Sequence, residues 1–231
     1  MSFLKVFLLP LFFISHNYGH FTSSSKKITI VLVPAGNHKN PGRIIDKTYE
    51  RTITHSIAQA LGTLFEEERY DCECIIAQSS GKSSLDQLQH VSITNSVHAD
   101  LVIILSAYQQ DNATPSLSLY HSPTPLLAQS PAQTLSFVPF EKIHTPHAHI
   151  SKQYAHVLYD HITTLPHITL TIKKPIGLPL VLHEGINTPA LSLECGFASN
   201  DHWQLIIQPL TQAFHALFDS LDTIKKTKKY R

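Results

Sequence analysis

Apolar positions along the chain fall into short continuous runs separated by stretches of helical spacing. Ile28 to Val33 reads I-T-I-V-L-V, a run rich in β-branched residues and the pattern of a strand buried on both faces. Pro34, Gly36, Pro41 and Gly42 then mark a loop. From Glu50 the period changes. Ile53, Ile57, Leu61, Leu64 and Phe65 recur three and four residues apart, which predicts an amphipathic helix. Cys74 to Ala77 predicts a second strand, and Leu85 to Val97, with Leu88, Val91 and Ile93, a second helix. Leu101 to Leu105, L-V-I-I-L, is a third buried strand, and Leu117 to Tyr120 adds another. Ser151 is expected to cap a helix carrying Tyr154, Leu158, Ile162 and Leu165. Ile168–Ile172, Leu180–Leu182 and Ala190–Leu193 read as further strands. A last helix is expected over His202–Leu221, with Leu210, Phe214, Leu217 and Leu221 turned inward.

Strand, helix, strand, helix, strand is the order of a mostly parallel sheet. The expected fold class is α/β, with a twisted, mostly parallel sheet of about six strands and helices on both faces. A length of 231 residues and an apolar share of 42% suit one such domain, placed at 26–223. Residues 1–25 read as a signal peptide or an N-terminal apolar anchor. Lys5 precedes the apolar run Val6–Ile14, which Pro10 interrupts, and small and polar residues follow. That run is shorter than the roughly 20 residues a membrane span requires. No stable membrane span is expected unless this segment is retained, and the domain is expected outside the cytoplasm. Residues 122–149 form a Pro- and His-rich excursion without clear periodicity, and 224–231 form a basic tail.

Charge and composition narrow the partners. A formal charge of +1 gives no global field, so no nucleic-acid partner is expected. Three cysteines do not make a disulfide framework, and Cys72 and Cys74 are too close along one strand to pair well. The 16 histidines are scattered, with no His-x-x-x-His pair beside a carboxylate.

In open parallel sheets, chemistry collects beyond the carboxyl ends of the strands. The loops after Val33, Leu105 and Leu193 meet that description. Glu194, followed closely by Gly196, is placed for general-base work or for a local cap or salt bridge, and its spacing leaves both open. Glu50 opens the first helix, where the helix dipole alone would favour a carboxylate.

The segment P-A-L-S-L-E-C-G-F-A-S-N, Pro189 to Asn200, resembles the closing motif of the zinc-dependent N-acetylmuramoyl-L-alanine amidases. Thr94–Leu105 is similar to that family's Ala-Asp-Leu strand run, and Glu50–Leu61 to its Glu-led first helix. V-P-A-G-N-H-K-N-P-G, Val33 to Gly42, is a distant echo of its opening loop. The resemblance runs from Ile28 to Leu221. It implies a peptidoglycan or muropeptide ligand and an exported protein, periplasmic or extracellular in a bacterial envelope. It also implies zinc held by two histidines and a glutamate, with a second glutamate acting on the metal-bound water. Glu194 matches the catalytic glutamate and Glu50 the ligand glutamate, but the two histidine positions fall on Gly36 and Ser106. One carboxylate is left where a catalytic zinc site has three protein ligands. His38 is the substitute ligand in reach along the loop. The cofactor is therefore zinc if the protein is active, and none otherwise. Two readings stay open: an amidase-like protein acting on or binding peptidoglycan, and a catalytically inactive amidase-fold binder or regulator of another cell-wall protein. A hydrolase built on Ser106 lacks a base paired to it in sequence.

Overall fold

The computed structural model describes residues 27–67, 72–78, 87–124 and 138–228. The expected N-terminal segment and residues 125–137 of the excursion lie outside the described residues.

Strand β1 (Ile28–Pro34) leads through a two-stranded hairpin, β2 (Ile44–Ile45) and β3 (Thr48–Tyr49), into helix α1 (Glu50–Glu67). Next come β4 (Cys72–Ile76), α2 (Gln87–Ser96), β5 (Leu101–Gln109) and β6 (Ser116–His121). The chain ends with α3 (Ala148–Thr164), β7 (Thr171–Gly177), β8 (Ala190–Phe197) and α4 (Gln204–Lys228). Six strands form one sheet in the order β4-β1-β5-β8-β6-β7. All neighbours run parallel except β6 and β8, which are antiparallel. The α/β architecture is the one the patterning predicts.

Alternation along the strands sends successive side chains to opposite faces. One face carries Leu101, Ile103, Leu105, Leu191, Leu193 and Phe197, which pack against α1, α3 and α4 in the main core. Phe65 anchors this core, its ring edge-on to Phe214 and Phe218 with centroids 5.2 Å from each. The other face packs Val31, Val33, Val102, Ile104 and Ala190 against Val91 of α2. Three helices thus cover one face and α2 covers part of the other.

Several boundaries differ from expectation. Leu180–Leu182 is no strand. Val181–His183 forms a single 3-10 turn, with Val181 and Leu182 exposed, because the chain there turns back from the sheet's edge and has no ladder to join. The strand placed at Ile168–Ile172 begins at Thr171 and ends at Gly177. It contains Lys173, Lys174 and Pro175, residues suited to an edge and not to a central strand. Ser151 is not a cap: α3 starts at Ala148, and the Ser151 hydroxyl donates to the His147 carbonyl and accepts the N–H of Ala190. Strands β5 and β8 run four residues past Leu105 and Leu193. Ser106 and Glu194 therefore lie within the sheet and not in loops beyond it. Helix α4 continues through Lys228, into the stretch expected as a basic tail.

Candidate functional site

The extended strands create the site. Ser106 of β5, Glu194 of β8 and Ser118 of β6 are directly paired across the sheet, so all three share one row and one face. In the row on one side stand Tyr108, Gly196 and Ser116, and on the other Ile104, Ser192 and Tyr120. This is the face of Val102 and Ile104, continued beyond the apolar patch under α2 as hydroxyls, tyrosines and one carboxylate. Gly196 leaves room there for the side chains around it. A Cβ at that position would collide with Gln110 Oε1, Ser116 Oγ and the Tyr108 ring. Without one, Tyr108 OH and Ser116 Oγ lie 3.0 Å apart and Ser116 donates to Gln110 at 2.7 Å.

Glu194 is held by two donors. Arg43 Nη1 lies 2.9 Å from Oε1 in an ion pair, and Tyr120 OH donates to Oε2 at 3.1 Å. The Arg43 side chain is 53% exposed and that of Glu194 25%, so the pair is partly open to solvent. The hydrogen bond to Glu194, with the Glu50 charge adding to it, raises the Arg43 pKa above its usual value. Burial, then the Glu194 charge, raises that of the Tyr120 phenol.

Glu50 is buried at the first turn of α1, and both of its oxygens are engaged by backbone. Oε1 accepts the N–H of Ala107 at 2.9 Å and Oε2 that of Arg43 at 3.1 Å. Gly42, at φ +80°, lets the carboxylate in: a Cβ there would lie 2.6 Å from Glu50 Oε2.

Gly36 adopts φ +82°, and a Cβ on it would lie 2.9 Å from Arg51 Cβ and 3.0 Å from the Pro41 carbonyl oxygen. Ser106 makes one long bond, 3.4 Å, to the Leu193 carbonyl. His38 is exposed in the loop that the Asn37 side chain folds by accepting the N–H groups of Lys39 and Asn40. Among the described residues, no three of His, Cys, Asp and Glu converge in a way that could hold a metal ion.

A family model described as N-acetylmuramoyl-L-alanine amidase matches residues 30–208. The chain belongs to that amidase family. No curated protein matches it in sequence. Among solved structures, the catalytic domain of the amidase CwlV from Bacillus (Paenibacillus) polymyxa var. colistinus aligns with TM-score 0.60 at 15% identity, covering 83% of this chain and 98% of its own. Ami1 from Mycobacterium smegmatis aligns with TM-score 0.56 at 12% identity, covering 84% and 97%. CwlD from Clostridioides difficile, solved in complex with the GerS lipoprotein, aligns with TM-score 0.52 at 13% identity, covering 84% and 100%. At these identities the likeness is one of fold.

Within this amidase fold the structure brings Glu194 and Ser106 into adjacent positions on β8 and β5, with Glu50 reaching β5 from below through Ala107. His38 makes no hydrogen bond or ion pair with any of them among the described residues. Arg43, Tyr108 and Tyr120 went unmarked in the sequence. Arg43 stands in an aperiodic loop and carries no pattern. Tyr120 was legible in S-L-S-L-Y-H, Ser116 to His121, whose alternation places Ser116, Ser118 and Tyr120 on one face once β6 is paired with β8.

Proposed function

We propose that this amidase-family protein binds peptidoglycan through its stem peptide, outside the cytoplasm, in a cleft that does not work as a zinc hydrolase. The observation that carries this reading is the donor set itself: a glycine and a serine stand at the two positions matched to histidine, and among the described residues no three of His, Cys, Asp and Glu converge. A catalytic zinc needs three protein ligands and an open position for water. The positions matched to histidine are Gly36 and Ser106, of which the first has no side chain and the second offers a hydroxyl, a poor ligand at neutral pH. Glu50 spends its two oxygens on backbone N–H groups, and His38 points from an exposed loop. This donor set does not fit zinc. Glu194, in turn, already accepts from a guanidinium and a phenol, so a water competes with both for its oxygens.

What survives suits recognition. The hydroxyls of Ser106, Tyr108 and Tyr120 and the half-exposed guanidinium of Arg43 line one floor, where the hydroxyl oxygens can accept from peptide N–H groups and the guanidinium can donate to peptide carbonyls and carboxylates. Family membership supports peptidoglycan as the source of that peptide. No helix among the described residues is long and apolar enough to cross a membrane.

The test is sedimentation with insoluble peptidoglycan, run beside a cleavage assay on purified muropeptides with and without added zinc. Co-sedimentation without release of stem peptide is the expected result. Zinc-dependent release of peptide from the lactyl group would overturn it.

A further inference from the structure

We propose that the Arg43 guanidinium is the site's resident cation. It balances the charge of Glu50 and Glu194 as a divalent ion does in a zinc hydrolase, and so the cleft keeps its shape without metal. The proposal deepens the reading above and shares its site, but it rests on the misfit to zinc and not on the identity of the ligand.

One residue reaches both carboxylates. The Arg43 backbone N–H donates to Glu50 Oε2, its carbonyl accepts the Glu50 N–H at 2.7 Å, and its Nη1 takes Glu194 Oε1. Nη1 also lies 3.5 Å from the Ala107 carbonyl, whose own N–H is bound to Glu50. Arg43, Ala107 and Glu50 thus close a ring of hydrogen bonds, and Glu194 is attached to it through the guanidinium.

The segment bearing Arg43 is also anchored on its far side. Asp46 and Lys47 turn the β2–β3 hairpin at φ 40° and 59°, a left-handed conformation unusual for residues other than glycine. The strain is held by bonds from outside the hairpin. Gln109 Oε1 accepts the Asp46 N–H at 2.7 Å, and Asn200 donates to Thr48 at 3.1 Å. These bonds tie the hairpin to the ends of β5 and β8, the strands that carry Ser106 and Glu194. An arginine fixed this way is a built part of the cleft.

A guanidinium differs from a metal in one respect that matters here. It neutralises charge and donates hydrogen bonds, yet it has no open coordination position and stays protonated. It cannot generate hydroxide from water as zinc does. A metal ion approaching Glu194 meets the positive charge of Arg43, 2.9 Å from Oε1. Among the described residues the Nε and Nη2 atoms of Arg43 have no hydrogen-bond partner, which leaves donors facing the cleft.

The experiment measures metal content and melting temperature for the wild type, Arg43→Ala and Arg43→Gln, in EDTA and in excess zinc. The wild type is expected to purify without stoichiometric zinc and to melt within about 1 °C in all conditions. Arg43→Ala is expected to melt about 1–4 °C lower in EDTA, the scale of a half-exposed ion pair. Adding Glu194→Gln to Arg43→Ala should recover part of that loss, because the charge Arg43 balances is then gone, and millimolar zinc should recover none of it. Arg43→Gln, which keeps donors but not charge, gives the same comparison if the alanine variant does not fold. One zinc per wild-type chain whose removal lowers the melting temperature would overturn the proposal, as would a double variant no more stable than Arg43→Ala. Failure to sediment with peptidoglycan would remove the proposed ligand and leave these melts unchanged.

Discussion

Glu50 Oε1 accepts the backbone N–H of Ala107 at 2.9 Å, a bond that spans 57 residues and ties the start of α1 to the far half of β5. The carboxylate is buried, and its second oxygen takes the Arg43 N–H. In this chain the residue therefore has a structural task whatever else it does. Glu50→Ala leaves two backbone donors without an acceptor, and hydrogen bonds to a charged group contribute about 1.5–3 kcal/mol each. Glu50→Ala is expected to cost about 2–4 kcal/mol, and Glu50→Gln, which keeps one carbonyl oxygen, about half of that. Urea unfolding of the three proteins checks the order. An alanine variant as stable as the wild type would refute the backbone-clamp role.

The ion pair between Arg43 and Glu194 is predicted to be real but weak. Both side chains are partly in water, so a double-mutant cycle with Arg43→Ala and Glu194→Gln should give a coupling of about 0.2–1 kcal/mol that shrinks in high salt. A coupling above about 2 kcal/mol would mean the pair is far less solvated than its exposure implies.

Gly42→Ala is expected to destabilise the protein by more than an ordinary surface substitution. The residue holds φ +80°, and its new methyl group would lie 2.6 Å from Glu50 Oε2. Left-handed strain alone costs about 1–2 kcal/mol. Displacement of Glu50 adds the loss described above, so thermal unfolding should show a fall of several degrees. The clash also predicts that Glu50→Ala and Gly42→Ala together cost less than the sum of the two.

A separate pH dependence is built in under the sheet. His183 is fully buried, with Nδ1 3.0 Å from Ser122 Oγ and Nε2 2.9 Å from Ser192 Oγ. Burial first, then the charges of His144 and His121, pushes its pKa down from 6.5 to about 4. The folded state thus keeps His183 neutral while the unfolded chain binds a proton. Above pH 6.5 the residue contributes no pH dependence. As pH falls from there to about 4, stability declines, by about 3 kcal/mol in total for a shift of this size. His121, His144 and His55, also lowered by burial, add losses of the same sign. Melting curves from pH 7.5 to 4.5 should show a steeper decline in the wild type than in His183→Gln. Parallel declines would refute the assignment.

Much of the fold was legible because buried strands and amphipathic helices write their periods directly. Ile28–Val33 and Leu101–Leu105 are apolar without interruption because both faces of those strands are covered, and α1 shows its inward stripe from Ile53 to Phe65. The site was less legible for the same reason. Where α2 no longer covers the sheet, β5 and β8 turn polar on one face, so Ser106 and Glu194 looked like the beginnings of loops. They are strand residues whose ladder continues to Gln109 and Phe197. Leu180–Leu182 failed in the opposite sense, as three apolar residues with no strand beside them. Arg43 could not be read at all, since its role depends on a hairpin bringing it back over β8.

The proposed loss of zinc chemistry has a direction, set at Gly36. Ser106 lies on a strand held in register by β1 and β8, so an imidazole introduced there would stand next to Glu194 after one substitution. At Gly36 the same exchange meets left-handed backbone, with Arg51 and the Pro41 carbonyl already filling the space of the first side-chain carbon. Reversion is therefore a ratchet. On that proposal, Ser106 can be exchanged for histidine by a point change, while Gly36 stays shut until the loop around it has been rebuilt.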